Sequence, residues 1–544
     1  MKLGIRPHPV FLAILLMAIC LIPIMALKDI SPANELRYLS IADEAIENGS
    51  VFTFSNQGEP YADKPPFYLW LLMLSRLIFG EHNYFILCLF SFIPAMITVG
   101  VMDKWLMLVS RLSSLKFSDL ERFAAAMMLG TSAMFLGTAV ILRMDMLMTM
   151  FIVLSLYTFY KLYKDVGSKT AGRILLPVYI FMALFTKGPV GIIMPVFAIL
   201  FFLLFSGKIR DIGKYLGWRT WSVIALLCAL WFTAVWLEGG KAYLDNLLFH
   251  QTVDRAVDAF HHKEPFWYYF IAIWYVAAPY SIAMIYSMFS KQGRHGYVTD
   301  AGRLFFTAFA VTFVMLSMFS SKLSVYLLPV VPFMAYFTVI AGKDTGCNGW
   351  MKFSLSVPSA VFALLALAVF ASPALLKLVP GLEIPEAFAD MLKTVPVYAA
   401  AVILLAGAVL AFISLFARRS WAGAVSFLSS SLLLAILALS PLVPRMNDYI
   451  GYRNLAAVAK ELEEITPASG YATLYVNRPE NMDVFFGQDI VSFGNDVSSM
   501  LDARISDTIL IVKTAPAAAD PSASSYLSGR YGVEVGDYTV YVIR

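Results

Sequence analysis

Charge is scarce in this chain: Asp, Glu, Lys and Arg make up 14% of its 544 residues. Soluble domains carry roughly a quarter, so a fold that lives wholly in water is excluded. Cysteine is almost as sparse. Cys20, Cys88 and Cys228 lie in apolar segments, Cys347 lies in a short loop, and none follows residue 445. That distribution excludes a disulfide framework and a cysteine-built zinc site. The sequence also lacks a P-loop, a nucleophile elbow and a zinc ribbon. Its polar tail has no nucleotide-binding glycine pattern, and nothing points to nucleic acid as a partner. No internal repeat is visible, although secondary transporters are often built from one.

Apolar sequence is abundant: 59% of residues are hydrophobic. Crossing a bilayer as a helix takes roughly 20 apolar residues, and such runs recur from residue 9 to about 443. They are placed at 9–27, 84–109, 121–140, 146–163, 174–186, 188–206, 220–237, 267–290, 303–319, 323–341, 353–373, 395–416 and 421–443, about thirteen transmembrane helices. The first run follows Lys2 and Arg6 but lacks a clear small-residue cleavage site, so it reads as a retained helix. The positive-inside rule tests the count. Alternate loops carry Arg111/Lys116/Arg122, Lys161/Lys164/Lys169/Arg173, Lys208/Arg210/Lys214/Arg219, Lys291/Arg294/Arg303, Lys343/Lys352 and Arg418/Arg419. With a cytoplasmic N-terminus, all of them are cytoplasmic. Counting Pro66–Gly80 as a further span would invert this parity, and the segment is short and contains Arg76. It is therefore expected to lie at the interface. In Glu35–Asn48, Leu36, Leu39, Ala42 and Ile46 recur at helical spacing, which predicts a second juxtamembrane helix.

The expected organisation is a transmembrane domain over 1–445, with juxtamembrane helices in 28–83, and a soluble α/β domain over 446–544. In the tail, Tyr471–Val476, Asp489–Phe493, Thr508–Lys513 and Tyr538–Ile543 read as strands. Asp496–Ala503 and Ser524–Arg530 read as helical or turn segments, and 515–524 reads as a Pro/Ala/Ser-rich loop. An odd number of spans puts this domain outside.

The unusual polar groups then share the outer side. Asn34, Glu35, Arg37, Tyr61, Asp63 and Lys64 come from the first outer loop, and Asp145 comes from the turn Leu142–Met146. Asp245–Trp267 holds half of the six histidines, with His250, Arg255, His261, His262 and Lys263. Lys187 and the stretch from Lys322 to Tyr326 complete the set. Carboxylates with a histidine suit metal binding or proton abstraction. Lysine, arginine and a tyrosine hydroxyl suit an anion, above all phosphate oxygens. Each also has an ordinary use: a helix cap for Asp145, a dipole partner for Glu35, a snorkelling anchor for Lys64. An outward phosphate cradle on a membrane protein points to group transfer from a phospholipid carrier.

At these residues the sequence resembles a known family. Asn34-Glu35-Leu36-Arg37-Tyr38 is similar to the Asp-Glu-x-Arg-Tyr motif of the aminoarabinose lipid A transferases. Tyr61-Ala62-Asp63-Lys64-Pro65-Pro66 is similar to their Tyr-Phe-Glu-Lys-Pro motif. These are GT-C glycosyltransferases, related to the protein O-mannosyltransferases. The resemblance continues through Arg143–Met146, Thr186–Pro189, His250 with Arg255, 262–268, and Lys322 to Tyr326. It implies a GT-C fold in the bacterial inner membrane, as a monomer, with the active site and C-terminal domain periplasmic. It implies an undecaprenyl-phosphate sugar donor and lipid A or another envelope glycolipid as acceptor. A protein or surface glycan as acceptor is the alternative, and a transporter or flippase a more distant one.

By position, Lys64, Arg37, Tyr61, Arg255 and Tyr326 match the family's carrier-phosphate contacts. Asp63 and His250 match its metal-associated pair, for which zinc is the expected ion. Asn34 stands where the family has its candidate catalytic aspartate. An amide is no general base, so Asp145 or Glu35 is expected in that role, or the acceptor differs. Asp145 is expected to stand clear of a permanent guanidinium partner.

Overall fold

The computed structural model describes residues 8–248, 264–290, 296–378, 386–466 and 468–544. They form two compact units. Unit one holds Met1–Met25, Ala62–Tyr68 and Cys88–Ser440; unit two holds Ala26–Tyr61, Leu69–Leu87 and Pro441–Arg544.

Unit one is helical. Among the described residues, ten helices of the chain are long and apolar enough to cross a membrane, from Pro9–Leu27 to Trp421–Ile450. Three of the expected spans depart from that form. Val190–Phe205 is continuous but has 16 residues, about 24 Å at 1.5 Å per residue. The span expected at 121–140 breaks into Asp119–Gly130 and Ala133–Ala139. The one expected at 267–290 breaks into Tyr268–Val276 and Ser281–Phe289, with Pro279, which has no N–H to donate, in the gap. Broken helices survive at membrane depth only where protein satisfies the freed polar groups. Here the two breaks serve each other: Ala133 N donates to Ala278 O at 2.7 Å. The Tyr280 hydroxyl lies 3.0 Å from Thr131 Oγ1 and 2.7 Å from Ser429 Oγ.

Close packing in this unit relies on small residues, as expected where the surroundings are as apolar as the helices themselves. Val395–Phe416 and Trp421–Leu439 pair along their length. A side chain at Gly407 would meet Ser431 at 2.1 Å.

Unit two contains the helix Arg37–Asn48, preceded by a wider turn at Pro32–Leu36. The short apolar helix Phe67–Phe79 runs through both units. Its 13 residues reach about 20 Å, short of the roughly 30 Å hydrocarbon core. A small hairpin pairs β1 (Ser55–Asn56) with β2 (Glu59–Pro60).

The tail forms a five-stranded sheet of β3 (Gly470–Leu474), β4 (Val491–Ser492), β5 (Thr508–Lys513), β6 (Gly532–Val535) and β7 (Tyr538–Ile543), in the order β4-β3-β5-β7-β6. β3 runs parallel to both neighbours, with Tyr471 opposite Ile509, while β7 is antiparallel to β5 and β6. Ala472, Leu474, Leu510, Val512 and Ile543 build one core with Met500, Ala523 and Leu527. On the helix Arg453–Ile465, Leu455, Ala456, Ala459 and Leu462 form the buried stripe.

Two tail expectations need correction. The segment 515–524 is helical, as Thr514–Ala519 and Pro521–Leu527. Alanines favour it, and Asp520 caps the second helix by accepting from Ser522 N at 2.8 Å and Ala523 N at 3.1 Å. β6 was not expected, yet the Gly536-Asp537 pair between it and β7 is a two-residue hairpin signal, with Gly536 at φ +56°.

Candidate active site

In unit one the site begins with two helices of matched length, Met144–Tyr163 and Lys169–Lys187, joined by a short turn. Antiparallel pairing brings the N-terminus of the first beside the C-terminus of the second. Asp145 in the opening turn and Lys187 in the closing turn each complement a helix dipole, and they meet: Lys187 Nζ donates to Asp145 Oδ1. Arg143, the residue just before the first helix, puts Nε 3.1 Å from Asp145 Oδ2. The Ser91 hydroxyl donates to the Arg143 carbonyl at 2.9 Å and fixes that turn. Asp145 is 2% exposed, so the carboxylate is buried between two cations. The expectation that it stands clear of a guanidinium is not met. Arg143 lies two residues before it, with an extended backbone, and its Nε reaches the Asp145 carboxylate.

Lys187 also lies 4.5 Å from the centre of the Tyr326 ring, a cation–π contact. Lys64 and Arg143 are both within electrostatic reach of Lys187. Lys64 Nζ itself lies 3.2 Å from Asp63 Oδ2. The fold thus gathers Asp63, Lys64, Asp145 and Tyr326, expected from sequence, with Arg143 and Lys187, whose motifs were visible but whose pairing was not. Lys322 is absorbed into structure: buried, it donates to the carbonyls of Glu264, at 2.8 Å, and Phe319.

In unit two, Glu35 is buried and saturated. Oε2 accepts from Lys28 Nζ at 3.0 Å and Ser31 N at 2.7 Å, and Oε1 accepts from the Tyr84 hydroxyl at 2.7 Å. Lys28 was missed, although a lysine directly after the first apolar run is a natural counter-charge for a nearby buried acid. Asn34 is exposed, and its Oδ1 lies 3.5 Å from Arg37 Nη2. The Arg37 guanidinium lies over the rings of Tyr38 and Tyr61, at 5.6 and 5.8 Å. This is an aromatic-backed arginine, a form suited to planar oxyanions.

His250 and Arg255, with His261, His262 and Lys263, lie outside the described residues. Among the described residues, no group of three or more His, Cys, Asp or Glu side chains is placed to hold a metal ion. Asp63 already faces the Lys64 ammonium, a charge that opposes a second cation there. The expected Asp63–His250 pair has one member outside the described residues, and no step below is routed through a metal.

Residues 63–236 match the family model described as dolichyl-phosphate-mannose-protein mannosyltransferase. An uncharacterized protein of Aquifex aeolicus (strain VF5) is 26% identical over 56% of this chain and 58% of its own length. The undecaprenyl phosphate-alpha-4-amino-4-deoxy-L-arabinose arabinosyl transferase of Shewanella sediminis (strain HAW-EB3) is 24% identical over 85% of this chain and 81% of its own length. The protein of the same description from Edwardsiella ictaluri (strain 93-146) is 24% identical over 58% of this chain and 56% of its own length. The chain thus spans less than two thirds of the first and third of these relatives. Among solved structures, ArnT from Cupriavidus metallidurans bound to undecaprenyl phosphate superposes with a TM-score of 0.73 at 17% identity, covering 98% of this chain and 97% of that one. Its apo form gives 0.71. The likeness shows a shared GT-C fold, and the family resemblance read from the motifs is borne out.

Proposed function

We propose that this chain is a GT-C glycosyltransferase that takes a sugar from an undecaprenyl-phosphate carrier. The proposed acceptor is lipid A or a related envelope glycolipid, on the periplasmic side of the bacterial inner membrane. The names of the relatives support the carrier, and one observation in this chain carries the chemistry. Lys64, Arg143 and Lys187 are gathered around Asp63 and Asp145. Ammonium and guanidinium groups so placed can hold the negative charge of a sugar phosphodiester.

The carrier phosphate competes with Asp145 for Lys187 and Arg143. As it takes them, a carboxylate oxygen is released in position to accept a proton. The acceptor hydroxyl gives its proton to Asp145, its oxygen bonds to the anomeric carbon, and the bond from that carbon to the phosphate oxygen breaks. The departing polyprenyl phosphate gains negative charge at that moment. Fixed ammonium and guanidinium groups stabilise such charge most when it develops in the transition state. Asn34 cannot take the proton, and Glu35 is held by three donors, so Asp145 is assigned as the base.

The test is a deletion strain complemented by the parent or by Asp145→Asn, with mass spectrometry of lipid A and of surface glycans. Loss of one sugar mass from lipid A, restored by the parent alone, is expected. Loss confined to a protein or surface glycan would move the acceptor. An unchanged envelope, together with no turnover of undecaprenyl-phosphate sugars by the purified protein, would overturn the proposal.

A further inference from the structure

From Cys88 onward the helix Tyr84–Leu112 belongs to unit one. Ser91 near its start bonds the turn that carries Arg143. Arg111 in its last turn lies twenty residues further on, about 30 Å at 1.5 Å per residue, the thickness of a hydrocarbon core. At that far end lies a cavity of about 240 Å³ lined by Met107, Ser110, Arg111, Lys116, Phe117 and Arg122.

Among the described residues, three cations and no carboxylate line it. Arg122 commits one edge to the buried Asp103, with Nε and Nη2 at 2.9 and 2.7 Å from its oxygens. On the other edge, Nη1 has a carboxylate only at 3.7 Å, from the exposed Asp119. Lys116 spends one N–H on the Ser110 carbonyl, at 2.6 Å, and keeps two. Arg111 is exposed and makes no ion pair among the described residues. A neighbouring cavity of about 320 Å³ contains Lys164 and Asp300, which pair with each other, so the charges cancel among its described lining residues. In the first cavity Met107 and Phe117 add an apolar wall, and Leu112 and Leu120 beside it are exposed. A small oxyanion with hydrocarbon attached fits these features better than a free ion.

We infer that this cavity binds the phosphate of an anionic phospholipid, at the membrane edge opposite the Asp145 cluster. Arg111, Lys116 and the Nη1 edge of Arg122, which only the exposed Asp119 flanks, grip the phosphate oxygens, and the acyl chains run along Leu112 and Leu120. Basic residues near a bilayer surface contribute roughly 1 kcal/mol each toward anionic lipid, about five-fold in affinity per cation.

The experiment is native mass spectrometry of the full-length protein released from detergent and titrated with phosphatidylglycerol, phosphatidylcholine or inorganic phosphate. Phosphatidylglycerol is expected to bind more tightly than phosphatidylcholine. Its affinity should fall about five-fold in Arg111→Ala and about 25-fold in the Arg111→Ala/Lys116→Ala double variant. Arg111→Lys should retain most of it. Arg210→Ala, which removes an exposed arginine elsewhere, should leave it unchanged. Equal binding of phosphatidylcholine, or an equal fall in Arg210→Ala, would reduce the effect to general charge attraction and overturn the inference. Millimolar inorganic phosphate displacing phosphatidylglycerol would overturn the lipid assignment in favour of a free-anion site. None of these readouts depends on glycosyl transfer.

Discussion

The Asp145–Lys187 pair makes the sharpest prediction, because structure and chemistry place different demands on it. Both side chains are enclosed, at 3% and 11% exposure, so neither charge can be hydrated if its partner is lost. Removing one member of a buried pair typically costs about 3–5 kcal/mol. Lys187→Met should fall at the lower end, about 3 kcal/mol, since Arg143 still holds Oδ2. Asp145→Asn should also destabilise, by leaving Lys187 and Arg143 facing each other without their shared counter-charge. The double variant Asp145→Asn/Lys187→Met removes both unmatched charges, so the two losses should not add; a coupling of more than about 1 kcal/mol is expected. Membrane proteins often unfold irreversibly, so the assay is the fraction remaining monodisperse after heating in detergent, read as a ranking. The double variant should recover at least half of the stability lost by Lys187→Met, yet all three variants should lack turnover. If Lys187→Met is as heat-resistant as the parent, the pair is solvated and the burial argument fails. If the double variant turns over normally, the cluster is structural and the proposed mechanism is wrong.

Lys64→Ala should lower kcat/KM for an undecaprenyl-phosphate sugar by about 10–100-fold, the equivalent of one charge-assisted hydrogen bond; steady-state kinetics on the purified variant would show otherwise if the ratio holds. Glu35→Gln leaves one carbonyl oxygen where two carboxylate oxygens served Lys28, Ser31 and Tyr84, so limited proteolysis should cut residues 28–60 sooner than in the parent. Gly407→Val drives a side chain into Ser431 and should cost about 1–3 kcal/mol by overpacking, seen as a lower melting temperature with folded-state activity retained. Asp483 gives a pH test. Burial pushes its carboxyl above the ordinary 3.8, only partly offset by hydrogen bonds from Ser40, its own helix start and Gln57. The folded state therefore holds this proton more tightly than the unfolded one. Its stabilising contribution is complete below 3.8 and is lost as pH rises through the raised folded value. Asp483→Asn, which mimics the neutral form, should flatten that part of the stability–pH curve measured between pH 4 and 7.

Much of the architecture follows from residue-by-residue transfer free energy. Ten of the expected spans appear as long apolar helices, and β5 and β7 fall on the residues read as strands. The motif residues Asp63, Lys64, Asp145 and Tyr326 could be named from their oddity in an apolar chain and from family resemblance. The chain could not say which charges neutralise which. Asp145 is matched by Lys187 forty-two positions later, and Glu35, paired with Lys28, also accepts from the Tyr84 hydroxyl forty-nine positions later. Nor could it say that the breaks after Gly130 and Val276 answer each other through Ala133 and Ala278. Hydropathy is a sum over single residues, so a linear pattern reports it faithfully. An ion pair or a backbone hydrogen bond falls off steeply with distance and orientation, so only the packed helices decide whether a buried carboxylate is an exposed base or one held in reserve between two cations.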